Sequence, residues 1–220
     1  MDEKYFIEYK FYINNAETKS YKIIFDDKEE KCPFEKNNCL DCINNNENKC
    51  ILYKKLIEYI EFFGKFPSYE NISVEVITPY RTYTKKCSLQ EGARSLLGII
   101  MPTSGCPVFK YLYPMARFHL PFSSIEETQF RVMGMYLLGQ YLRMNKDLPT
   151  DWGFENLINI YSNIRDINKA ICNKIRESSY MDGSINAIII LDILADQVLF
   201  TIDEKELEFF YRIYDIYLTI

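Results

Sequence analysis

Four cysteines near the N-terminus have the residue type and spacing that bind a metal ion. Cys32, Cys39, Cys42 and Cys50 follow the pattern C-x6-C-x2-C-x7-C, in a charged, asparagine-rich segment without hydrophobic periodicity. The C-x2-C step allows a tight knuckle that places two sulfurs on one metal. Burial cannot order such a segment, so a metal would supply its folding energy. The pattern predicts an all-thiolate zinc site, with an iron–sulfur cluster as the alternative.

A fifth cysteine, Cys106, also has a setting that suits chemistry. It follows Ser104-Gly105 and precedes Pro107, where a short helix would begin and its N-terminus would stabilise a thiolate. Three uses are open: a metal ligand in place of Cys32, a nucleophile with His119 as its base, or a packing residue. The only histidine of the chain stands in an F-H-L-P-F context, which is more typical of a buried histidine than of a catalytic one.

Arginine usage points to a second group of residues. Through Lys86 the chain has 14 basic residues, of which only Arg81 is an arginine, whereas 7 of the 12 that follow are arginines. In a lysine-biased chain, arginine marks positions that need a planar fork of donors. We expect Arg81, Arg117, His119 and Arg131 to form the polar side of a ligand pocket. The alternative for Arg131 is an ordinary ion pair on a helix surface.

The elements that position these residues form an α+β protein. Apolar residues alternate with polar ones in the N-terminal strands, whereas the second half shows helical spacing and the capping signatures S-L-Q-E and S-I-E-E. Polar residues such as Asn168 stand within apolar helix faces, and we expect them to pair across the bundle. The predicted strands are 5–13, 20–25, 72–77 and 81–86, and the predicted helices are 51–63, 88–100, 124–143, 151–178, 182–200 and 204–218, with a short helix after Pro107.

No linker or repeat divides the chain, so we expect a single domain over residues 1–220. Residues 1–87 form its α+β part, which contains the cysteine-rich loop 28–50. Residues 88–220 form an all-helical bundle. The segment 26–49 shows no periodicity that would support an element of its own.

Composition limits the partners. The net charge is −5 and the isoelectric point is near 5.1, which argues against nucleic-acid binding. The N-terminus lacks the pattern of an export signal, and Asp192 and Asp196 interrupt the most apolar run. We therefore expect a cytoplasmic protein that does not contact membranes. The apolar C-terminal sequence EFFYRIYDIYLTI would pack on the bundle or on a second copy of the chain.

These motifs resemble those of an uncharacterised bacterial family, a domain of unknown function with a cysteine-rich N-terminal segment. The similarity spans about residues 39–200. The matching residues are R-T-Y at 81–83, S-L-Q at 88–90, L-G at 97–98, S-G-C-P at 104–107, P-M-A-R-F-H-L-P-F at 114–122, E-T at 127–128, Y-L-L-G-Q-Y at 136–141, Asp182 and N-A at 186–187.

The resemblance implies a metal ligand set and no activity. It favours Cys39, Cys42, Cys50 and Cys106 as the ligands, with Cys32 as an extra cysteine. It does not account for Cys87, where the family would have another residue type. Taken together, the sequence indicates a zinc-stabilised binding or regulatory protein whose partner is an unidentified small molecule or protein. A thiol-dependent enzyme that uses Cys106 and His119, or a redox sensor, is the alternative.

Overall fold

The computed structural model describes residues 4–14, 16–25, 32, 39–45, 50–177, 186, 188–189, 195–196, 198–199, 202 and 207–219. It shows an α+β protein with an N-terminal antiparallel sheet and a mostly helical remainder, as the sequence predicts. Most of the predicted helix 182–200 lies outside the described residues, including Asp182 and Ala187. The residues described between 186 and 202 are helical.

The sheet has four antiparallel strands. They are β1 (Phe6–Ile13), β2 (Ala16–Ile24), β3 (Asn71–Ile77) and β4 (Thr82–Ser88), in the order β2-β1-β3-β4. The alternation in β1 places Ile7, Tyr9, Phe11 and Ile13 on the buried face. The second strand, which is predicted to begin at residue 20, begins at Ala16, and Ala16 pairs with Ile13.

Two helices begin or end where their capping residues predict. Helix α2 (Ile51–Phe63) has Cys50 at its N-cap, where the sulfur accepts a hydrogen bond from the Tyr53 N–H, and Gly64 at its C-cap. Helix α3 (Leu89–Ile100) begins after Ser88, whose hydroxyl accepts the N–H of Glu91. α2 packs its aromatic face on the sheet, with the Phe63 and Phe11 rings 4.9 Å apart.

Helix α1 (Cys39–Asn45) corrects the prediction that residues 26–49 contain no element of their own. Its buried residues Cys39, Cys42 and Ile43 lie at helical spacing, one turn apart. The two cysteines therefore act as apolar positions on the inner face of the helix. α1 packs against helix α6 (Glu155–Glu177), which ties the cysteine-rich segment to the helical half.

The other helices lie within the central segment 101–124 or after it in the chain. A 3-10 turn (Phe109–Leu112) leads into α4 (Tyr113–Arg117), which forms the short helical stretch predicted after Pro107. Helix α5 (Ile125–Met144) starts with a complete capping box between Ser124 and Glu127. The predicted C-terminal helix 204–218 is instead two short helices, α7 (Glu208–Ile213) and α8 (Asp215–Leu218), that break at Tyr214.

Helix α6 begins at Glu155, four residues later than predicted. The carboxylate of Asp151 caps it by accepting the N–H groups of Glu155 and Asn156. None of the helices within the described ranges has the length and apolar character needed to cross a bilayer.

Candidate functional site

Four thiols from two parts of the chain come together at one place, which we call the thiol cluster: Cys39, Cys42, Cys50 and Cys106. Each is at most 6% exposed, and none forms a disulfide. Helix α1 carries two of them, Cys50 caps α2, and Cys106 stands before the 3-10 turn. The cluster joins the N-terminal part of the molecule to the central segment.

Hydrogen bonds pair these thiols. The Cys39 thiol is hydrogen-bonded to Cys106, and Cys42 is hydrogen-bonded to Cys50. The hydrogen bond from Cys39 lowers the pKa of Cys106 against the effect of burial, and the N–H groups of Phe109 and Val108 add to the lowering. Burial raises the pKa of Cys42 to about 12 and that of Cys50 above its ordinary value. Cys106 is therefore the thiol that ionises most readily.

The four thiols of the cluster are not arranged as the ligands of one metal ion. Over the described parts of the chain, no group of three or more His, Cys, Asp or Glu side chains is placed to hold a metal ion. Cys32 is half-buried and lies close enough for its charge to affect Cys39 and Cys42. Cys87 lies on β4, and Cys172 is buried on α6.

His119 takes part in a chain of buried hydrogen bonds. The Tyr9 hydroxyl lies 2.6 Å from Nε2 of His119 and 2.7 Å from Oγ of Ser95, and Ser95 Oγ also accepts the N–H of Phe122. All the hydroxyl hydrogens find acceptors if Ser95 donates to Tyr9 and Tyr9 donates to Nε2. The histidine hydrogen then lies on Nδ1.

The predicted nucleophile and base have different partners in the structure. Cys106 is hydrogen-bonded to Cys39, whereas His119 is hydrogen-bonded to Tyr9. Burial, together with the positive charge of Arg131, lowers the pKa of His119 to about 3. The imidazole is therefore neutral near pH 7 and accepts a proton weakly.

A cavity of about 130 Å³ lies between α3, the central segment and α6. Its wall is mainly apolar, with Leu97, Met101, Phe109 and Ile164 among the residues that line it. Its polar groups include His119, Arg131, Tyr161 and Asn168. A mainly apolar pocket with a few convergent polar groups is the usual form of a small-molecule site.

Arg131 is anchored in the wall of this cavity. One of its terminal nitrogens donates to the carbonyl oxygens of Met115 and Phe118, at 2.9 and 2.7 Å. The carboxylate of Glu127, one turn earlier, accepts the N–H of Ser124 instead. Arg131 therefore fastens α5 to the segment that carries His119.

The other two arginines of the predicted pocket lie elsewhere. The guanidinium of Arg117 stacks 3.6 Å from the centre of the Tyr5 ring, a cation–π contact. Arg81 is exposed in the turn between β3 and β4 and donates to the Tyr83 hydroxyl. The structure brings His119 and Arg131 together at the cavity and places Arg81 and Arg117 outside its lining.

Sequence reasoning did not identify Tyr161, Ser95 or Tyr9 as site residues. Each follows the helical or strand periodicity of its element, which predicts a core position. A phenol or hydroxyl in a buried stripe needs a hydrogen-bond partner, and that requirement is the signal that could have marked them.

Comparison with known proteins identifies a family. A family model described as "Domain of unknown function (DUF6901)" matches residues 7–215. No curated protein and no solved structure matches the sequence.

Proposed function

The chain belongs to the DUF6901 family of unknown function, and from this premise we propose that it is a binding protein whose fold is stabilised by a metal–thiolate centre. Cys39, Cys42, Cys50 and Cys106 would hold the metal, with Cys32 as the alternative fourth ligand. Zinc is the ion that suits an all-thiolate set, since it accepts tetrahedral sulfur coordination and does not undergo redox chemistry. The protein would act in the cytoplasm, where such thiols stay reduced.

The observation that supports this proposal is the meeting of four buried thiols from two distant segments. Cys39 with Cys106 and Cys42 with Cys50 already form hydrogen-bonded pairs. Buried thiols are costly to ionise on their own. A bound cation stabilises their thiolate forms, so the thiols lose their protons and become metal ligands. The two pairs would have to move closer for all four sulfurs to reach one ion.

Metal analysis of protein purified under nitrogen tests the proposal. We expect about one zinc ion per chain, as for a closed tetrahedral site. Cys39→Ser and Cys106→Ser should lose most of the metal. Cys87→Ser is the matched control, since Cys87 lies on β4, and it should keep the full content. Protein that contains neither zinc nor iron would refute the metal centre.

The same experiment separates the alternatives. A brown colour with iron and sulfide would identify a cluster and favour a redox role. If Cys32→Ser loses the metal while Cys106→Ser keeps it, the ligand set lies entirely within the N-terminal segment. A thiol-dependent enzyme is favoured by the lowered pKa of Cys106. It predicts rapid alkylation of Cys106 in the metal-loaded protein, whereas a metal ligand should react slowly.

A further inference from the structure

We propose that the cavity between α3, the central segment and α6 binds a small monocarboxylic acid with a compact apolar body, whose carboxylate contacts Arg131 and Tyr161. This inference rests on the binding role proposed above, names its ligand class, and is independent of the metal centre. Three features of the cavity support it: the positive charge of its lining, the polar groups of its wall, and its volume.

The charge of the lining favours an anion. Arg131 and Arg94 both line the cavity, and none of the lining residues that the structure describes is acidic. Arg131 is half-buried, so an anion beside it would be attracted through a medium less polar than water. The charge of Glu127 acts on Arg131 from one turn earlier in α5, while the carboxylate of Glu127 accepts the Ser124 N–H.

The hydrogen bonds of Arg131 hold its guanidinium group in an orientation that can bind a carboxylate. One terminal nitrogen is held by the carbonyl oxygens of Met115 and Phe118. This fixes the guanidinium plane and leaves its other nitrogens to donate. A fixed planar fork matches the geometry of a carboxylate and loses little freedom on binding.

Two buried side chains of the lining offer polar groups to a ligand. Tyr161 is 5% exposed, and the positive charge of Arg131 acts on its hydroxyl. Asn168 is 1% exposed, and its side-chain oxygen Oδ1 has no hydrogen-bond partner among the described residues. Buried polar atoms are almost always paired, so a ligand in this cavity accounts for the unpartnered amide of Asn168. With its amide turned over, Asn168 would present N–H groups to the acid.

His119 completes the polar wall. When Tyr9 donates to Nε2, the histidine hydrogen lies on Nδ1, and His119 is then a further neutral donor in the lining. The donors therefore come from three separate elements: α5, α6 and the segment between α4 and α5. A neutral or cationic ligand would gain no attraction from the positive charge of Arg131.

The size of the cavity limits the apolar body of the ligand. Its volume of about 130 Å³ is close to that of engineered apolar cavities, about 150 Å³, that hold benzene. Leu97, Met101, Phe109 and Ile164 provide the apolar wall. An aromatic ring or a short branched chain fits this space, and a long acyl chain does not.

Calorimetric titration of the full chain with benzoate, and with benzyl alcohol as the neutral analogue of similar shape, tests the inference. We expect benzoate to bind at least about tenfold more tightly than benzyl alcohol, because only benzoate has a charged group that can hydrogen-bond to Arg131. Equal affinity for the two compounds, or no binding by the folded protein, would overturn it.

The variant Tyr161→Phe locates the site without removing the arginine anchor. It should weaken benzoate binding about tenfold and leave benzyl alcohol unchanged. Tyr141→Phe, at an exposed position of α5, is the control and should bind as the parent protein does. Unchanged benzoate affinity in Tyr161→Phe would refute the assignment to this cavity.

Metal content measured on the same samples separates the two proposals. Metal-free protein that binds benzoate would support this inference and refute the metal centre. Metal-loaded protein that does not bind benzoate would refute this inference alone.

Discussion

The hydroxyl of Tyr9, at the centre of strand β1, lies 2.6 Å from Nε2 of His119, 110 residues later in the chain. Tyr9 is fully buried, and the same hydroxyl contacts Oγ of Ser95 on α3. One phenol therefore links the sheet, α3 and the wall of the cavity. Buried hydrogen bonds of this kind contribute to the stability of the fold mainly because a buried polar group without a partner is costly.

Tyr9→Phe should destabilise the protein by about 1–3 kcal/mol, because His119 and Ser95 each lose a buried partner. Urea unfolding followed by circular dichroism measures the change. Tyr80→Phe is the control, since Tyr80 is 77% exposed, and it should have no measurable effect. Equal stability of Tyr9→Phe and the parent protein would show that the hydrogen-bond chain contributes nothing to folding.

The stability of the protein should decrease as the pH falls from about 6.5 towards 3, through His119. Burial and the Arg131 charge lower the pKa of His119 to about 3, while the unfolded residue titrates near 6.5. Between these values the unfolded state binds the extra proton, so acid favours unfolding by up to about 1.4 kcal/mol per pH unit. Urea unfolding at pH 4.5 and 6.5 measures the slope.

His119→Gln removes the titrating group and should flatten the slope between pH 4.5 and 6.5. This window lies above the ordinary pKa of aspartate, so the contribution of Asp151 is excluded from it. An unchanged slope in His119→Gln would mean that other groups cause the acid sensitivity.

Asp151 should contribute to stability as the cap of α6. Burial opposes its ionisation, but hydrogen bonds involving Glu155, Tyr136 and Asn156 outweigh this effect and hold the pKa of Asp151 below its ordinary value. Asp151→Ala should cost about 1–2 kcal/mol, typical of a lost N-cap. Thermal unfolding near pH 7 measures it, with Asp147→Asn, at an exposed position, as the control. A melting temperature equal to that of the control would contradict the capping role.

Local periodicity explains how much of this fold could be predicted from the sequence. The bounds of α2 and the pairing of β1 with β2 follow from repeating apolar residues, which depend only on neighbours in the chain. The apolar periodicity of helix α1 emerges only when its cysteines count as apolar residues, since Cys39, Cys42 and Ile43 occupy one buried face of the helix. The cavity could not be predicted, since it arises where α3, the central segment and α6 meet, and periodicity does not encode tertiary distances.

Gly92 and Gly134 form a matched pair that tests the packing of α3 on the sheet. A Cβ at Gly92 would lie 2.9 Å from Val74 Cγ2 and 3.2 Å from both Ile72 Cδ1 and Phe11 Cε1. Gly92→Ala should therefore destabilise the protein by about 1–3 kcal/mol, through overpacking. A Cβ at Gly134 would meet nothing within 4 Å, so Gly134→Ala should stabilise α5 by about 0.5–1 kcal/mol. Chemical denaturation of both variants measures the contrast; effects of the same sign would show that α3 can shift to relieve the contact.

Removal of the proposed metal should change which cysteines react with iodoacetamide. In the metal-loaded protein we expect Cys39, Cys42, Cys50 and Cys106 to react slowly, because bound thiolates are shielded and the residues are buried. A chelator should expose all four to alkylation together, since the metal would supply the energy that orders their segment. Cys172, buried in the core face of α6, should stay protected and serves as the internal control. Peptide mapping by mass spectrometry measures each rate, and identical rates with and without the chelator would show that no metal orders these thiols.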